Sequence, residues 1–280
     1  MNTTPTRSGI PQDPELRDRY LRDADQRRTA KRAESARLAA EVPPSYTPKA
    51  LIWIIAGILT VVLVMFAGFA ILGPMLKQTS VSEQALPATT SRLVVDNAAG
   101  DVRIRAAEAG EEPRVNASTE WGLRRPDVSV DSSGGTTTLH GQCPTGIFTT
   151  CSTDWTIVVP ADADVEIDEG AGRLTIEGIG GDLDIHAGVG DVRISETTAS
   201  SISADLGVGS LWIESVEPPQ QVDARVGVGG LSVQLPDDVS YDVDASSGVG
   251  ESRNDLGSDV LSDRTVSVES GVGSVSVSAS

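Results

Sequence analysis

The feature that most constrains the fold of this chain is a Gly-x-Gly unit that recurs six times at nearly constant spacing. The glycines that frame the units are Gly170 and Gly172, Gly188 and Gly190, Gly207 and Gly209, Gly227 and Gly229, Gly248 and Gly250, and Gly271 and Gly273. Successive units lie 18, 19, 20, 21 and 23 residues apart. A period of this length is typical of repeat proteins, in which each unit packs on its neighbours.

Apolar residues alternate with polar residues on both sides of each unit, and the alternation changes phase at the glycines. Before one unit, small or apolar residues occupy every second position from Leu183 to Val189, and after it Val192 and Ile194 continue with the opposite parity. A period of two indicates a β-strand, and the phase change requires a corner, for which the second glycine is suited. The same alternation predicts inward side chains for Val189, Val208, Val228 and Val272.

Each repeat is therefore predicted to be two short strands that meet at a glycine corner. Stacked repeats over residues 91–280 would form an all-β domain, a β-solenoid with one narrow apolar column inside. Aromatic residues make up only 4% of the chain, which fits a narrow core. A β-sandwich is the alternative, because its hairpins also alternate, but the regular corners favour the solenoid. Residues 107–157 fit the period poorly and are predicted to form a wider start.

A second feature is a run of twenty-three residues without a charge, from Leu51 to Gly73, followed by Pro74. As a helix it would be about 34 Å long, enough to cross a bilayer. Positive charges cluster on its N-terminal side, which predicts a cytoplasmic tail over residues 1–50, a transmembrane helix over 51–74, an outer linker over 75–90 and an extracytoplasmic domain over 91–280. The tail is expected to be partly helical or disordered. A cleaved signal peptide and a buried helix are the alternatives.

Cys143 and Cys151 are the chain's two cysteines, and they flank a Pro-Thr-Gly turn sequence. The turn could bring them together, and an oxidising compartment outside the membrane would keep a disulfide closed. A pair of buried thiols is the alternative interpretation. Two cysteines and two histidines are too few for a zinc site built from these residues, and we expect no cofactor.

The net charge of −18 combines +3 on residues 1–50 with −21 on the remainder. Such an acidic chain is not expected to bind nucleic acid. The Gly-x-Gly units are each followed by a strand pattern, so no helix N-terminus is available to hold a phosphate. No nucleophile motif accompanies His140 or His186, and we expect the protein not to be an enzyme.

Acidic residues recur at outward positions ahead of the corners. In a stack they would line up on one face; they are Glu166, Asp182, Asp184, Asp223, Asp242 and Asp244. A solvated face that opposes edge association is one explanation. A face that binds cations or the basic groups of a partner is the other.

Residues 156–194 resemble the bacterial β-strand-repeat domains of unknown function that are called putative adhesins. In that family a valine-rich strand ends in proline, as at Pro160, and is followed by units in which a glycine precedes two apolar residues at alternate positions. The residues that match these units are Gly172, Leu174, Ile176, Gly181, Leu183 and Ile185. The resemblance extends over about residues 90–280. It implies a single-stranded right-handed β-helix, often membrane-anchored and similar to domains of cell-envelope stress sensors.

Together these observations predict a single-pass protein of a bacterial cell envelope whose acidic β-solenoid serves adhesion or another binding role outside the cell. The alternative is an envelope-stress sensor or regulator that signals through its N-terminal tail. The partner in the envelope is not specified by any motif. The ends of a solenoid are open to strand pairing, so the terminal segment Val275–Ser280 is predicted to be an edge for self-association.

Overall fold

The computed structural model describes residues 14–40, 53–64, 78–144 and 151–280. The chain divides into two units, Met1–Phe69 and Ala70–Ser280. In the first unit, helix α1 (Pro14–Ala40) carries charged residues around its whole circumference, and its side chains over residues 21–37 are almost all exposed. A helix in this part of the tail agrees with the sequence, which mixes alanine with charged residues.

The predicted transmembrane segment over residues 51–74 is described only at residues 53–64, which are helical and carry exposed apolar side chains. Its other residues lie outside the described part of the chain. Among the described ranges, no helix has both the length and the apolar character needed to span a membrane.

The second unit consists of β-strands, which confirms the prediction of a β-rich domain. The strands are β1 (Gln78–Ala85), β2 (Arg92–Asn97), β3 (Val102–Ala106), β4 (Arg114–Trp121), β5 (Asp127–Ser133), β6 (Thr136–Gln142), β7 (Cys151–Val159), β8 (Asp164–Glu177), β9 (Leu183–Thr197), β10 (Ser201–Ser215), β11 (Gln221–Leu235), β12 (Asp242–Val249), β13 (Ser252–Asn254), β14 (Thr265–Val272) and β15 (Val275–Ala279).

Two ladders of hydrogen-bonded strands run through this unit. One has the order β5-β6-β2-β8-β9-β10-β11-β14-β12, and the other has the order β1-β4-β7-β3-β8-β9-β10-β11-β15-β13. Strands β8 to β11 belong to both ladders, because each contains a Gly-x-Gly corner near its middle. The first half of each long strand pairs in one ladder and the second half pairs in the other.

From β8 onward the pairing is parallel, and equivalent positions of successive repeats lie side by side. Leu183 pairs with Ile202, and Ile202 pairs with Val222; all three are at most 2% exposed. After the corner, Leu211 pairs with Val192 and Leu231 in the same way. This register stacks like side chains into apolar columns, and burying them is the main favourable contribution to folding here.

The corner glycines are dictated by the close stacking of the repeats. The second glycine of the unit at 207–209, Gly209, has φ +144°, and a Cβ built there would overlap the carbonyl oxygen of Gly190 in the neighbouring repeat. Gly190, Gly229, Gly250 and Gly273 share this arrangement, with φ between +142° and +151°. At Gly207 a Cβ would lie 2.5 Å from the carbonyl oxygen of Gly188. Only glycine allows the backbones to approach so closely.

One prediction about the corner is wrong. Val189, Val208, Val228 and Val272 are 47–55% exposed, whereas Leu206 and Val226, two residues before the corner valines of their repeats, are buried. The chain has already begun to turn at the first glycine, so the side chain between the two glycines points away from the interior.

The order of the last strands also differs from the sequence order. Strand β14 lies between β11 and β12, and β15 lies between β11 and β13. The prediction that Val275–Ser280 forms a free edge is therefore wrong at Val275–Val277, where β15 is paired on both sides. Self-association through the ends of the domain stays a prediction. The outermost strands are β12 and the three-residue β13, in which Ser252 and Asn254 replace the apolar residues of other repeats.

At the opposite end, part of the predicted outer linker over residues 75–90 is strand β1, which pairs antiparallel with β4. The linker prediction is wrong for these residues. Strand β4 pairs antiparallel with β7, and β5 pairs antiparallel with β6, over the residues that fit the repeat period poorly. These antiparallel strands precede the parallel part and share its core through Val115, Leu139 and Trp155.

Candidate binding surface

The six predicted acidic residues lie on the outward face of the first ladder or beside it. Glu166 is adjacent to Asp184, and Asp223 is separated from Asp184 by Ser203. Because β14 is inserted before β12, Ser267 separates Asp223 from Asp244. Asp182 lies in the turn before β9, where its backbone N–H donates to Asp164, and Asp242 begins the edge strand β12.

Two of these acids already have arginine partners within the chain. Arg92 contacts Glu166 at 2.5 Å, and Arg225 contacts Asp223 at 2.8 Å and Asp205 at 3.7 Å. The side chains of these pairs are 28–54% exposed, so each pair contributes little to stability. In the described residues no three His, Cys, Asp or Glu side chains come close enough together to hold a metal ion.

The exposed corner residues form a continuous apolar strip, which we call the corner ridge. Its members, in the order in which they pair across the strands, are Ala171, Val189, Val208, Val228, Val272 and Val249. Neighbouring strands are about 4.8 Å apart, so the ridge is roughly 24 Å long. A contiguous apolar strip on a protein surface marks a site of interaction more often than isolated apolar residues do.

A row of mostly charged residues, which we call the charged row, runs parallel to the corner ridge, three residues earlier in each repeat. In order across the strands it consists of Asp96, Asp168, His186, Asp205, Arg225, Glu269 and Ser246. A shallow groove runs along this row, and the backbone of Gly188, Gly207 and Gly227 lines it beside the charged side chains. The groove therefore offers charged side chains and glycine backbone next to the apolar ridge.

On the other flank of the ridge, two residues later in each repeat, a second row runs across the strands. It consists of Arg173, Asp191, Ser210, Gly230, Ser274 and Glu251. The Ser210 hydroxyl donates a hydrogen bond to the Asp191 carboxylate. We call this the second row. The ridge therefore has polar residues on both sides, as the centre of an interface usually has.

Inside the domain, at the start of the parallel stack, a polar cluster replaces the apolar column. Glu169 is 2% exposed, and its carboxylate accepts two hydrogen bonds from the side-chain amide of Asn97. The Trp155 indole N–H donates to Asn97 Oδ1 at 3.2 Å. Burial raises the pKa of the Glu169 carboxyl to about 7, although the hydrogen bonds from Asn97 and from the Ala171 N–H lower it.

Cys143 and Cys151 form a disulfide, with the two sulfur atoms 2.08 Å apart. The bridge joins the segment after β6, which belongs to the first ladder, to the start of β7, which belongs to the second. It therefore links the two ladders covalently at the antiparallel end of the domain.

A further surface feature lies on the outward face of the second ladder. The Arg193 guanidinium stacks on the ring of Trp212, 3.6 Å from its centroid. The two residues are paired on β9 and β10, and Ser232 is the next residue across. A stacked arginine and tryptophan of this kind form a cation–π interaction, which stabilises the exposed aromatic ring.

Sequence reasoning found the acidic face and the corners but missed the corner ridge and the buried Glu169. The sequence does contain an indication of the ridge, because valine separates the two glycines in five of the six units. A turn that requires glycine on both sides leaves the side chain between them little room in the interior. The burial of Glu169 is also indicated by the sequence, because the residues at the equivalent position of the next repeats, Ala187, Leu206 and Val226, are apolar.

Comparison with known proteins gives structural likenesses only. No protein-family model matches the chain, and no curated protein matches it. A putative cell adhesion protein from Clostridium sporogenes ATCC 15579 is similar in structure, with 15% identity and a TM-score of 0.45 over 72% of this chain and 100% of that one. A putative adhesin from Bacteroides fragilis NCTC 9343 has 14% identity and a TM-score of 0.43 over 71% and 97%. A putative adhesin from Parabacteroides merdae ATCC 43184 has 8% identity and a TM-score of 0.30 over 72% and 96%.

Proposed function

We propose that this chain is a single-pass protein of a bacterial cell envelope that displays a non-catalytic, acidic β-solenoid outside the cell as an adhesion or binding module. The observation that carries the proposal is the corner ridge with its charged flanks. An exposed apolar strip beside hydrogen-bonding groups is suited to contact with another surface. The resemblance of residues 156–194 to putative adhesin repeats supports the same role.

Pairing and connection lengths support the solenoid. Ile202 lies beside Leu183, yet only residues 198–200 join the end of β9 to the start of β10. A straight strand of fifteen residues would be about 50 Å long, whereas this connection spans at most roughly 14 Å. Each repeat must therefore curve back to its starting side. Parallel connections of this kind are almost always right-handed, which favours a right-handed coil.

The proposed membrane anchor rests on the amino-acid sequence. The uncharged run from Leu51 to Gly73 separates a tail of net charge +3 from a remainder of net charge −21. Positive charge concentrated on one side of such a run keeps that side in the cytoplasm. A disulfide between Cys143 and Cys151 fits an oxidising compartment for the domain.

The proposal is tested by displaying the full chain on bacterial cells and measuring how many cells stay on a surface coated with envelope fragments of the same cells under flow. We expect the full chain to raise retention above that of cells with a chain that ends after residue 77. Equal retention would contradict an adhesive role.

A deletion of residues 1–45 separates adhesion from signalling. We expect cells with this shortened chain to be retained as well as cells with the full chain, because binding resides in the β-domain. A loss of retention at equal surface display, together with a lost envelope-stress response, would instead support a sensor that acts through its tail.

A further inference from the structure

A two-fold rotation can place the corner ridge and its two flanking rows opposite complementary residues of a second copy of the chain. We infer that the corner ridge docks on the corner ridge of a second copy of this chain, in antiparallel orientation, about an axis that lies between β10 and β11. This inference rests on the proposed binding role and names the partner. The parallel pairing determines the order of the residues across the strands, and this order decides which side chains of the two copies meet.

The axis between β10 and β11 passes through the centre of the ridge. It places Val208 opposite Val228 of the second copy, and Val189 opposite Val272. The outer pair is Ala171 with Val249. Every ridge residue therefore meets an apolar residue, and the whole strip is removed from water in one contact.

The axis runs across the ridge in the plane of the contact, so each flanking row faces its own counterpart. In the charged row, Asp205 then faces Arg225 of the second copy, and His186 faces Glu269. Since each pair occurs twice, two Asp205 and two Arg225 side chains surround the axis, with negative and positive charges in alternation. Asp168 faces the uncharged Ser246.

The second row is complementary under the same axis. Arg173 faces Glu251 of the second copy, Asp191 faces Ser274, and Ser210 faces Gly230. No acid is placed opposite an acid in either row, although the domain as a whole is strongly acidic. Like charges placed opposite each other would oppose association, so this pattern fits a second copy of the chain.

A parallel arrangement of two ridges satisfies fewer charges. Rotation about the ridge direction would place the charged row against the second row, so that Asp205 would face Ser210 and Arg225 would face Gly230. Glu269 would then face Ser274, and Glu251 would face Ser246. Only Asp168 with Arg173 and His186 with Asp191 would be matched in this arrangement. The antiparallel contact pairs Asp205, Arg225 and Glu269 with partners of opposite charge or with a histidine.

The open strand edges at the C-terminal end are less suited to self-association. On the edge strand β12, the Val243 N–H donates to the Ser258 hydroxyl, and the Ala245 carbonyl accepts from the Ser252 hydroxyl. Side chains of this chain thus occupy backbone groups that an added strand would need. The ridge has no such cover among the described residues.

The orientation is tested by cross-linking the full chain in detergent through single cysteines on the ridge. In the antiparallel contact, Val189 lies opposite Val272 of the second copy but about 14 Å from the second Val189, three strand spacings away. We expect a disulfide-linked dimer when V189C and V272C chains are mixed and oxidised. Neither variant should cross-link efficiently alone, and V216C, an exposed valine off the ridge, should not cross-link with either.

Efficient cross-linking of V189C with itself would overturn the antiparallel contact, and so would a mixture that gives no more dimer than the V216C controls. These results are independent of the retention experiment. Retention without ridge cross-linking would leave the proposed adhesive role in place and reject only the second copy as the partner.

A charge exchange provides a second test that needs no cysteine. Arg173 and Glu251 of one chain are five strands apart, roughly 24 Å, so they do not contact each other. We expect R173E or E251R alone to weaken self-association at least several-fold in sedimentation velocity, and the double variant to restore it. A double variant that associates no better than the single variants would contradict the inference.

Discussion

The side-chain amide of Asn97 donates hydrogen bonds to both carboxylate oxygens of Glu169, at distances of 3.2 and 2.9 Å, inside the core of the β-domain. Asn97 lies on β2 and Glu169 lies directly beside it on β8. The Trp155 indole and the Thr153 carbonyl complete the partners of the amide. A buried polar cluster of this kind is stable only while its hydrogen bonds are satisfied.

This arrangement predicts a specific dependence of stability on pH. Burial, with smaller contributions from Asp101 and Asp168, raises the pKa of Glu169 from 4.5 to about 7. The folded state therefore binds this proton more tightly than the unfolded state does. The contribution of the protonated Glu169 to the free energy of unfolding is therefore complete below pH 4.5. It is lost as the pH rises to about 7, and the total loss is about 3 kcal/mol.

The measurement is urea unfolding between pH 4.5 and pH 8, compared with Glu169→Gln, which keeps the shape of the side chain without its titration. The difference in unfolding free energy between the two proteins removes the contributions of other carboxylates. We expect the native chain to lose stability relative to the variant as the pH rises. Parallel curves for the two proteins would show that Glu169 does not titrate in this range.

The close contacts of the corner glycines predict that adding a single methyl group at a corner strongly lowers the stability of the fold. Gly209→Ala forces a Cβ onto the carbonyl oxygen of Gly190 at φ +144°, and we expect a loss of at least about 2 kcal/mol. Gly257 has φ +78° but open space around it, so Gly257→Ala isolates the backbone strain. Gly230→Ala, with neither constraint, should change stability by less than about 1 kcal/mol.

Urea unfolding of these three glycine variants checks the order of their effects. If Gly209→Ala were no more destabilising than Gly257→Ala, the close stacking of the corners would be wrong.

Inward and outward positions of one repeat should respond differently to truncation. Ile213 is fully buried, and Ile213→Ala should cost about 2–5 kcal/mol because it leaves a cavity in a packed column. Val208 is 47% exposed on the ridge, and Val208→Ala should cost less than about 1 kcal/mol. Denaturant unfolding measures both, and similar losses for the two variants would contradict the outward placement of the ridge.

The disulfide should contribute to the stability of the antiparallel end. Cys143 and Cys151 are separated by eight residues in sequence, and closing a loop of this length restricts the unfolded chain by about 2–3 kcal/mol. We expect the C143S/C151S double variant to unfold at correspondingly lower denaturant concentration. An unchanged unfolding midpoint for the variant would show that the bridge does not constrain the unfolded chain.

The sequence is informative where one repeat resembles the next. The alternation of apolar and polar residues around Ile185 and Ile194 predicts the buried columns, because every repeat has the same two-residue period. The exchange of β14 and β12 could not be predicted, since Val266 and Val243 are equally suited to a place beside Val222. The contact of Asn97 with Glu169 was also hidden, because the two residues are 72 positions apart and belong to unlike strands.

The role of the corner ridge as the binding surface is tested most directly by the retention of cells that display a chain with a charged ridge. Val208→Asp with Val228→Asp places two acids at the centre of the ridge without altering a buried residue, and Val216→Asp is the matched control at a valine that is 52% exposed elsewhere. At equal surface display, we expect the ridge variant to lose most of the retention under flow and the control variant to keep it. Equal retention of the two variants would contradict the claim that the corner ridge is the binding surface.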